Sequence, residues 1–110
     1  MELPTPVSGT WDVVSSPDFD DEYLAMDVVP YVRLQQKGRS VTGDYQMGLQ
    51  TGQIDGRLVS PDRVLFSFEG MDEMEEVSGA GTLTLEDDHL TFVLMYHQGD
   101  DFTFVCERRQ

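Results

Sequence analysis

The chain is poor in basic residues. Seven Lys and Arg residues stand against 21 Asp and Glu residues, which gives a formal net charge of −14. Such a surface repels nucleic acid and anionic lipid, because binding to either depends on clustered Lys and Arg. The sequence therefore predicts no nucleic-acid partner and no membrane partner. Its negative charge would suit a basic protein partner.

The chain also has little cysteine and no long apolar run. Cys106 is the only cysteine, so no internal disulfide can form. No apolar stretch approaches the roughly 18 residues of a membrane span. The segment Met1–Pro4 has neither the basic start nor the apolar stretch of a secretion signal, so we expect a cytoplasmic protein. Because Cys106 alternates with Phe102 and Phe104, we expect it to be a small buried residue of the core.

Motifs for catalysis, metal binding and nucleotide binding are missing. His89 and His97 are the only histidines, whereas a zinc site needs three or four ligands at a recognisable spacing. The sequence contains no nucleophile elbow, HExxH, phosphate-binding loop or dinucleotide fingerprint. The acidic run Met71–Glu76 lacks the spacing of a calcium loop, so we interpret it as an exposed, solvated loop. We predict a protein that is not an enzyme, with no catalytic residue, no metal site and no cofactor.

The sequence is rich in strand-forming residues, and its turn signals are evenly spaced. The 110 residues leave room for one domain, 1–110. Ala occurs twice and Lys once, so strong helix formers are scarce. Turn signals such as Lys37-Gly38 and Ser60-Pro61-Asp62 separate apolar segments whose two faces differ. We predict eight strands, over residues 11–15, 31–36, 41–47, 52–59, 64–70, 77–85, 90–97 and 102–108. This pattern favours an all-β fold, an eight-stranded antiparallel up-and-down β-barrel.

The long connection between the first two strands has a helical pattern. Ser16 can cap a helix and Pro17 fits its first turn, where acidic residues favour the positive end of the helix dipole. Phe19, Tyr23 and Met26 have helical spacing and would share one face. We therefore predict one short helix from Pro17 to Met26, after the first strand.

Both ends of the chain resemble a known superfamily. The segment Ser8–Asp21 reads SGTWDVVSSPDFDD, and its Gly-x-Trp is similar to the start of the first strand in the calycins, the lipocalins and fatty-acid-binding proteins. The segment Phe104–Arg108 resembles the end of their last strand. The resemblance implies a lipocalin-like barrel in which Arg108, or failing that Arg109, lies over Trp11 and closes the barrel. A guanidinium over an indole contributes about 0.5–2 kcal/mol.

The sequence departs from this superfamily at two places. There is room for one helix between the first two strands, where fatty-acid-binding proteins have two. Those proteins also hold a lipid carboxylate with an Arg-x-Tyr pair on the last strand, and the aligned positions here are Phe104 and Cys106. The resemblance therefore implies a binding barrel without the carboxylate contact of the fatty-acid-binding branch.

The interior of such a barrel is either a filled core or a site for one small ligand. Our leading hypothesis is a non-enzymatic barrel that binds a small apolar or aromatic molecule inside. Arg33 would be its polar contact if that strand face turns inward, but Tyr31 shares the face while Val32 and Leu34 oppose it. The aromatic and soft residues most able to line the interior are Tyr31, Tyr45, Met47, Phe66, Phe68, Phe92, Tyr96 and Phe104.

The alternative is a filled barrel that acts as a protein–protein interaction module or inhibitor. Small barrels of this superfamily include protease inhibitors that present an N-terminal segment to the protease. Here we expect Met1–Val7, with Pro4 and Pro6, to form a stiff extended arm that could do the same. The acidic surface would equally suit a basic protein. The sequence leaves monomer and dimer open, since a barrel that fails to close would expose an edge strand.

Overall fold

The computed structural model describes residues 7–25, 29–87 and 89–109, and these form a closed barrel. In chain order the elements are β1 Gly9–Ser15, α1 Asp21–Leu24, β2 Tyr31–Lys37, β3 Ser40–Met47, β4 Gln50–Ser60, β5 Arg63–Asp72, β6 Glu75–Glu86, β7 His89–Tyr96 and β8 Asp101–Arg108. Each strand pairs antiparallel with the next, and β8 returns to pair with β1. The predicted fold class is confirmed, and every predicted strand end lies within two residues of the observed one.

The two ends of the barrel differ. We call the end that carries α1 and the β3–β4, β5–β6 and β7–β8 turns the capped end. The opposite end, with the β2–β3, β4–β5 and β6–β7 turns, is the closed end. Among the described residues, no helix has the length and apolar character needed to cross a membrane.

Alternate residues of each strand fill the interior. Phe66 and Phe68 of β5 and Phe92 of β7 are buried, while their chain neighbours face outward. Cys106 is fully buried, as expected from its alternation with Phe104. Burial, with a smaller contribution from the charge of Asp12, raises the pKa of the Cys106 thiol to about 12. The thiol is therefore protonated and inert at neutral pH.

Glycines on neighbouring strands make room for one of these rings. Phe66 pairs with Gly56 of β4 on one side and with Gly81 of β6 on the other. A Cβ atom at Gly81 would lie 2.4 Å from the Cζ atom of Phe66 and 2.2 Å from the carbonyl oxygen of Val93. Only glycine allows the ring to lie across these strands at this distance.

The predicted helix is wrong in its start and its cap. The helix begins at Asp21, and the Asp20 carboxylate accepts a 2.9 Å hydrogen bond from the backbone N–H of Tyr23. Ser16 has another role, because its hydroxyl donates to the carbonyl of Thr103 at 2.5 Å. The helix ends at Leu24, and the predicted end at Met26 lies outside the described residues.

The acidic run is also more ordered than the predicted loop. Asp72 ends β5 and Glu75 begins β6, so only Glu73 and Met74 form the turn. The two strands stay paired to their last residues, since Asp72 pairs with Glu75. The side chains from Glu73 to Glu76 are exposed, whereas that of Asp72 is half-buried.

At the closed end, Arg108 lies over Trp11 as the sequence predicted. The guanidinium carbon is 4.3 Å from the centre of the indole ring, and Nη1 of Arg108 donates to the carbonyl of Ser8 at 2.6 Å. Trp11 is 1% exposed, and its Nε1 donates to the carbonyl of Val7 at 2.9 Å. Residues 1–6 of the predicted arm lie outside the described residues, and Val7 is fully buried.

Candidate functional site

Most of the residues predicted to line the interior do face it. Tyr96 of β7 is half-buried among them, and the others are almost completely buried. These buried residues are Tyr45, Met47, Phe66, Phe68, Phe92 and Phe104. The structure thus brings seven of the eight predicted residues together inside the barrel.

The exception is Tyr31, which lies on the outer face of β2 with Arg33. The interior positions of that strand belong to Val32 and Leu34, which are almost completely buried. Arg33 is exposed and forms hydrogen bonds of 3.0 and 2.8 Å with the carboxylate of Asp44. The prediction that Tyr31 lines the interior is therefore wrong, because the more apolar face of the strand packs into the core. Arg33 was a predicted polar contact only if its face turned inward, and that condition is not met.

A continuous series of aromatic rings crosses the interior. At its centre, Phe92 stacks on Phe66 with ring centres 5.4 Å apart and meets the ring of Tyr45 edge-on at 5.5 Å. Phe104 lies 6.1 Å from Phe92 and leads toward the capped end. Contacts at these distances make the middle of the barrel a packed aromatic core.

Two rings from outside the strands complete the series at the capped end. Phe19 lies 5.1 Å from Phe102 and 5.7 Å from Phe104, and Tyr23 of α1 stacks on Phe19 at 5.1 Å. Phe102 in turn meets the ring of Tyr96 edge-on at 5.1 Å. The cap of the barrel is therefore made of aromatic side chains that belong to the segment before β2.

A buried chain of polar groups lies beneath this cap. Gln50, at the start of β4, is 1% exposed. Its Oε1 accepts a short hydrogen bond from the hydroxyl of Tyr96, and its Nε2 donates to the hydroxyl of Tyr23 at 3.4 Å. Both ends of the amide are thus bonded, as a buried amide requires. These hydrogen bonds link the wall of the barrel to its cap.

The hydroxyl of Tyr45 is buried in the same region without a hydrogen-bond partner among the described residues. The side chain is 2% exposed, and its oxygen lies 2.5 Å from where a Cβ of Gly52 would be. The pKa of Tyr45 is raised, first by burial and then by the charges of Tyr96 and Asp72. Burial and the charge of Asp72 also raise the pKa of Tyr96. Both phenols are therefore protonated at neutral pH and can donate hydrogen bonds.

The carboxylate of Asp72 is close enough to act on both phenols. It lies on the inward-facing side of β5, beside Gln50 of β4. Its own burial and the charges of Glu73 and Glu75 raise its pKa. The capped end thus combines aromatic surface, one unpartnered hydroxyl and one acidic group, and we call this region the interior site.

Two open grooves cross the outer face of the barrel, and inward-facing residues are among those that border each, Tyr45 the first and Phe68 the second. One, of about 820 Å³, spans β2 to β6, and the other, of about 1050 Å³, spans β3 to β7. Outward-facing Asp44, Glu69 and Glu76 are among the residues that line the first. Both are open to solvent, whereas small-molecule sites bury most of the ligand. The predicted basic protein partner for this acidic surface stays a prediction.

The sequence did not identify Gln50, Phe19 or Phe102 as site residues. Gln50 stands in a turn signal, and its predicted strand starts two residues later. Phe102 alternates with Phe104 and Cys106, and this periodicity was a signal that could have included it. The position of Phe19 depends on how the segment after β1 folds back over the barrel.

Comparisons with known proteins find solved structures of similar fold but no relative by sequence. No protein-family model matches the chain, and no curated protein matches it in sequence. Among solved structures it is similar to a redesigned β-barrel, mFAP1, bound to DFHBI, at a TM-score of 0.70 and 15% identity over 93% of this chain and 94% of that one.

Two further structures have the same architecture. Human cRBP IV matches with a TM-score of 0.57 and 18% identity, over 96% of this chain and 100% of that one. The REP1-NXSQ fatty acid transporter matches with a TM-score of 0.57 and 12% identity, over 94% of this chain and 96% of that one. Likeness at these identities shows the fold alone, and that fold is a closed eight-stranded β-barrel.

Proposed function

We propose that the protein binds one small apolar or aromatic molecule in the interior site. The observation that carries this proposal is the hydroxyl of Tyr45, which is buried among rings with no partner in the described part of the chain. Leaving such a group unpaired costs about 1–3 kcal/mol, and phenylalanine would avoid that cost at the same size. A ligand with a hydrogen-bonding group would satisfy the hydroxyl.

The position of the cap gives such a molecule a way in. The interior rings are in contact, so a ligand needs space that some of them now occupy. Phe19 and Tyr23 belong to the segment that covers the barrel, not to its wall. Displacing these two rings would open a space bounded by Phe68, Tyr96 and Phe102 without breaking any strand pairing.

The seven inward-facing residues would then have distinct roles. Tyr45 would hydrogen-bond to the ligand, and Tyr96 would hold Gln50 in place from the side. Met47 would adapt to the shape of the ligand, because its side chain is unbranched and polarisable. The buried rings Phe66, Phe68, Phe92 and Phe104 would form the walls.

This role is binding without catalysis. Burial raises the pKa of the Tyr45 phenol and that of the Cys106 thiol, so neither is a base or nucleophile at neutral pH. The solved complex of the redesigned barrel mFAP1 with DFHBI supports a small-molecule site in a barrel of this fold.

The test is a fluorescence titration with Prodan, a neutral naphthalene that carries a ketone. We expect saturable binding with a blue-shifted emission, because the dye would leave water for an apolar site. Tyr45→Phe removes the hydroxyl that would donate to the ketone, so it should weaken binding about 2–10-fold, the equivalent of one hydrogen bond. Tyr31→Phe is the matched control, since Tyr31 lies on the outer face. Absence of saturable binding, or equal weakening by both variants, would overturn the proposal.

A further inference from the structure

We infer that the interior site prefers positively charged aromatic ligands to neutral or anionic ones, because the capped end through which they would enter is uniformly acidic. This inference rests on the proposed binding function and names the ligand class. The acidic composition alone suggests a negative surface in general, whereas this preference comes from the capped end of the barrel and from Asp72 inside it.

The basic residues of the chain are placed away from the capped end. All seven Lys and Arg side chains are exposed. Arg33, near the middle of β2, is paired with the carboxylate of Asp44. The other six lie in the half of the barrel toward the closed end: Lys37, Arg39, Arg57, Arg63, Arg108 and Arg109.

Acidic residues surround the capped end. Four lie within Asp18–Glu22, next to and within α1, and four more lie within Asp72–Glu76 at the β5–β6 turn. Asp100 and Asp101 add two at the β7–β8 turn. The described residues of this end include no Lys or Arg to neutralise them.

The ten carboxylates around the capped end produce a negative electrostatic field that attracts cations and repels anions. At physiological ionic strength such a field reaches about 8 Å from each charge. An anionic ligand would have to cross this field to reach the rings beneath. A cationic ligand would be concentrated at the cap.

Groups inside the barrel also favour a cationic ligand over an anionic one. Asp72 stands on the inward-facing side of β5, half-buried beside Gln50. The rings of Tyr23, Tyr96 and Phe102 lie at the same end and present faces that attract an ammonium group. The described part of the interior contains no Lys or Arg, so a buried carboxylate on a ligand would lack a counter-charge.

The unpartnered hydroxyl of Tyr45 is a second, independent sign of a ligand at this place. It is 98% buried, since the side chain is 2% exposed, and its oxygen can accept a hydrogen bond from an ammonium N–H. It is close enough to Asp72 for the charge of that residue to act on the phenol. Tyr45 of β3 and Asp72 of β5 both face the interior at the capped end, on either side of β4.

The experiment compares three dyes that share the dansyl fluorophore and a pentyl chain. Dansylcadaverine ends in an ammonium group, N-pentyl dansylamide ends in a methyl group, and dansyl-aminohexanoic acid ends in a carboxylate. We expect the cation to bind about tenfold more tightly than the neutral dye, and the anion to bind most weakly. The preference should decrease when salt is raised from about 20 mM to about 500 mM, because salt screens the field.

Two variants locate the effect. Asp72→Asn should reduce the preference for the cation over the neutral dye. Asp55→Asn makes the same chemical change on the outer face of β4, and the preference should stay as in the wild type. Equal affinities for the three dyes, or tightest binding of the anion, would overturn the inference and leave the proposed function intact. Binding of none of the three dyes would instead overturn the proposed function and the inference with it.

Discussion

Removing the hydroxyl of Tyr45 should stabilise the protein, whereas removing that of Tyr96 should destabilise it. The two tyrosines are both inside the barrel at the capped end, but their hydroxyls differ in bonding. That of Tyr96 donates to Oε1 of Gln50, and that of Tyr45 has no partner among the described residues. Phenylalanine keeps each ring in place, so each substitution changes only the state of one hydroxyl.

The magnitudes follow from the cost of unpaired polar groups. In Tyr45→Phe an unpaired buried hydroxyl disappears, which removes a cost of about 1–3 kcal/mol, less the small loss of contact over Gly52. We therefore expect a gain of about 1 kcal/mol, or about 4 °C in the melting temperature for a domain of this size. In Tyr96→Phe the buried Oε1 of Gln50 loses its donor, so we expect a loss of about 1–3 kcal/mol.

Urea denaturation of the ligand-free protein measures both changes. The midpoint should rise for Tyr45→Phe and fall for Tyr96→Phe, with the slope of the transition unchanged in each, since the same surface is exposed on unfolding. A lower midpoint for Tyr45→Phe would show that its hydroxyl has a partner in the folded protein. The hydroxyl of Tyr45 would then not be free to bind a ligand in the interior site.

Three further predictions concern the core. Trp11→Ala should lower the stability in urea by ~3–5 kcal/mol, because Trp11 is buried and carries the stacked guanidinium of Arg108; an unchanged midpoint would contradict its role in closure. Cys106 should react with Ellman's reagent at about pH 8 only in denaturant, because the thiol is buried and its pKa is raised to about 12; fast reaction of the folded protein would contradict this. The raised pKa values of Tyr45 and Tyr96 mean that the unfolded chain releases these protons near pH 10 while the folded protein retains them. Stability should therefore be full below about pH 10 and fall above it. Ultraviolet titration should show that Tyr45 and Tyr96 keep their protons near pH 10 in the folded protein and release them there in the unfolded chain.

The strands could be predicted because their sequence signals are local. Alternation in β5 and β7 marks the inward residues, and turn signals such as Lys37-Gly38 end the strands. The helix was harder, because Ser16 is as good a cap by type as Asp20. The choice between them depends on β8, where the backbone of Thr103 takes a hydrogen bond from Ser16 and donates one to Asp18 at 2.7 Å. Such a contact across 85 residues has no local signal in the sequence.

The candidate site was only partly predictable for the same reason. Aromatic residues at alternate positions were sufficient to find Tyr45 and Phe92, but not to distinguish them from Tyr31 on the outside. That distinction depends on which face of β2 the barrel turns inward. The bonding of Gln50 to two tyrosines from different elements likewise requires the closed barrel.

Net charge alone predicts a basic protein partner. The strand order adds where on the barrel the charged residues lie. In an up-and-down barrel the starts of odd strands meet the ends of even strands at one end. Arg63 starts β5 and Arg108 ends β8, so residues that are 45 positions apart in sequence share the closed end. Asp72 ends β5 and Asp101 starts β8, so both stand at the other end. The strand order therefore places six of the seven basic residues toward the closed end, where Asp62, Glu86 and Glu107 also lie, and leaves the described part of the capped end with acidic residues and no Lys or Arg.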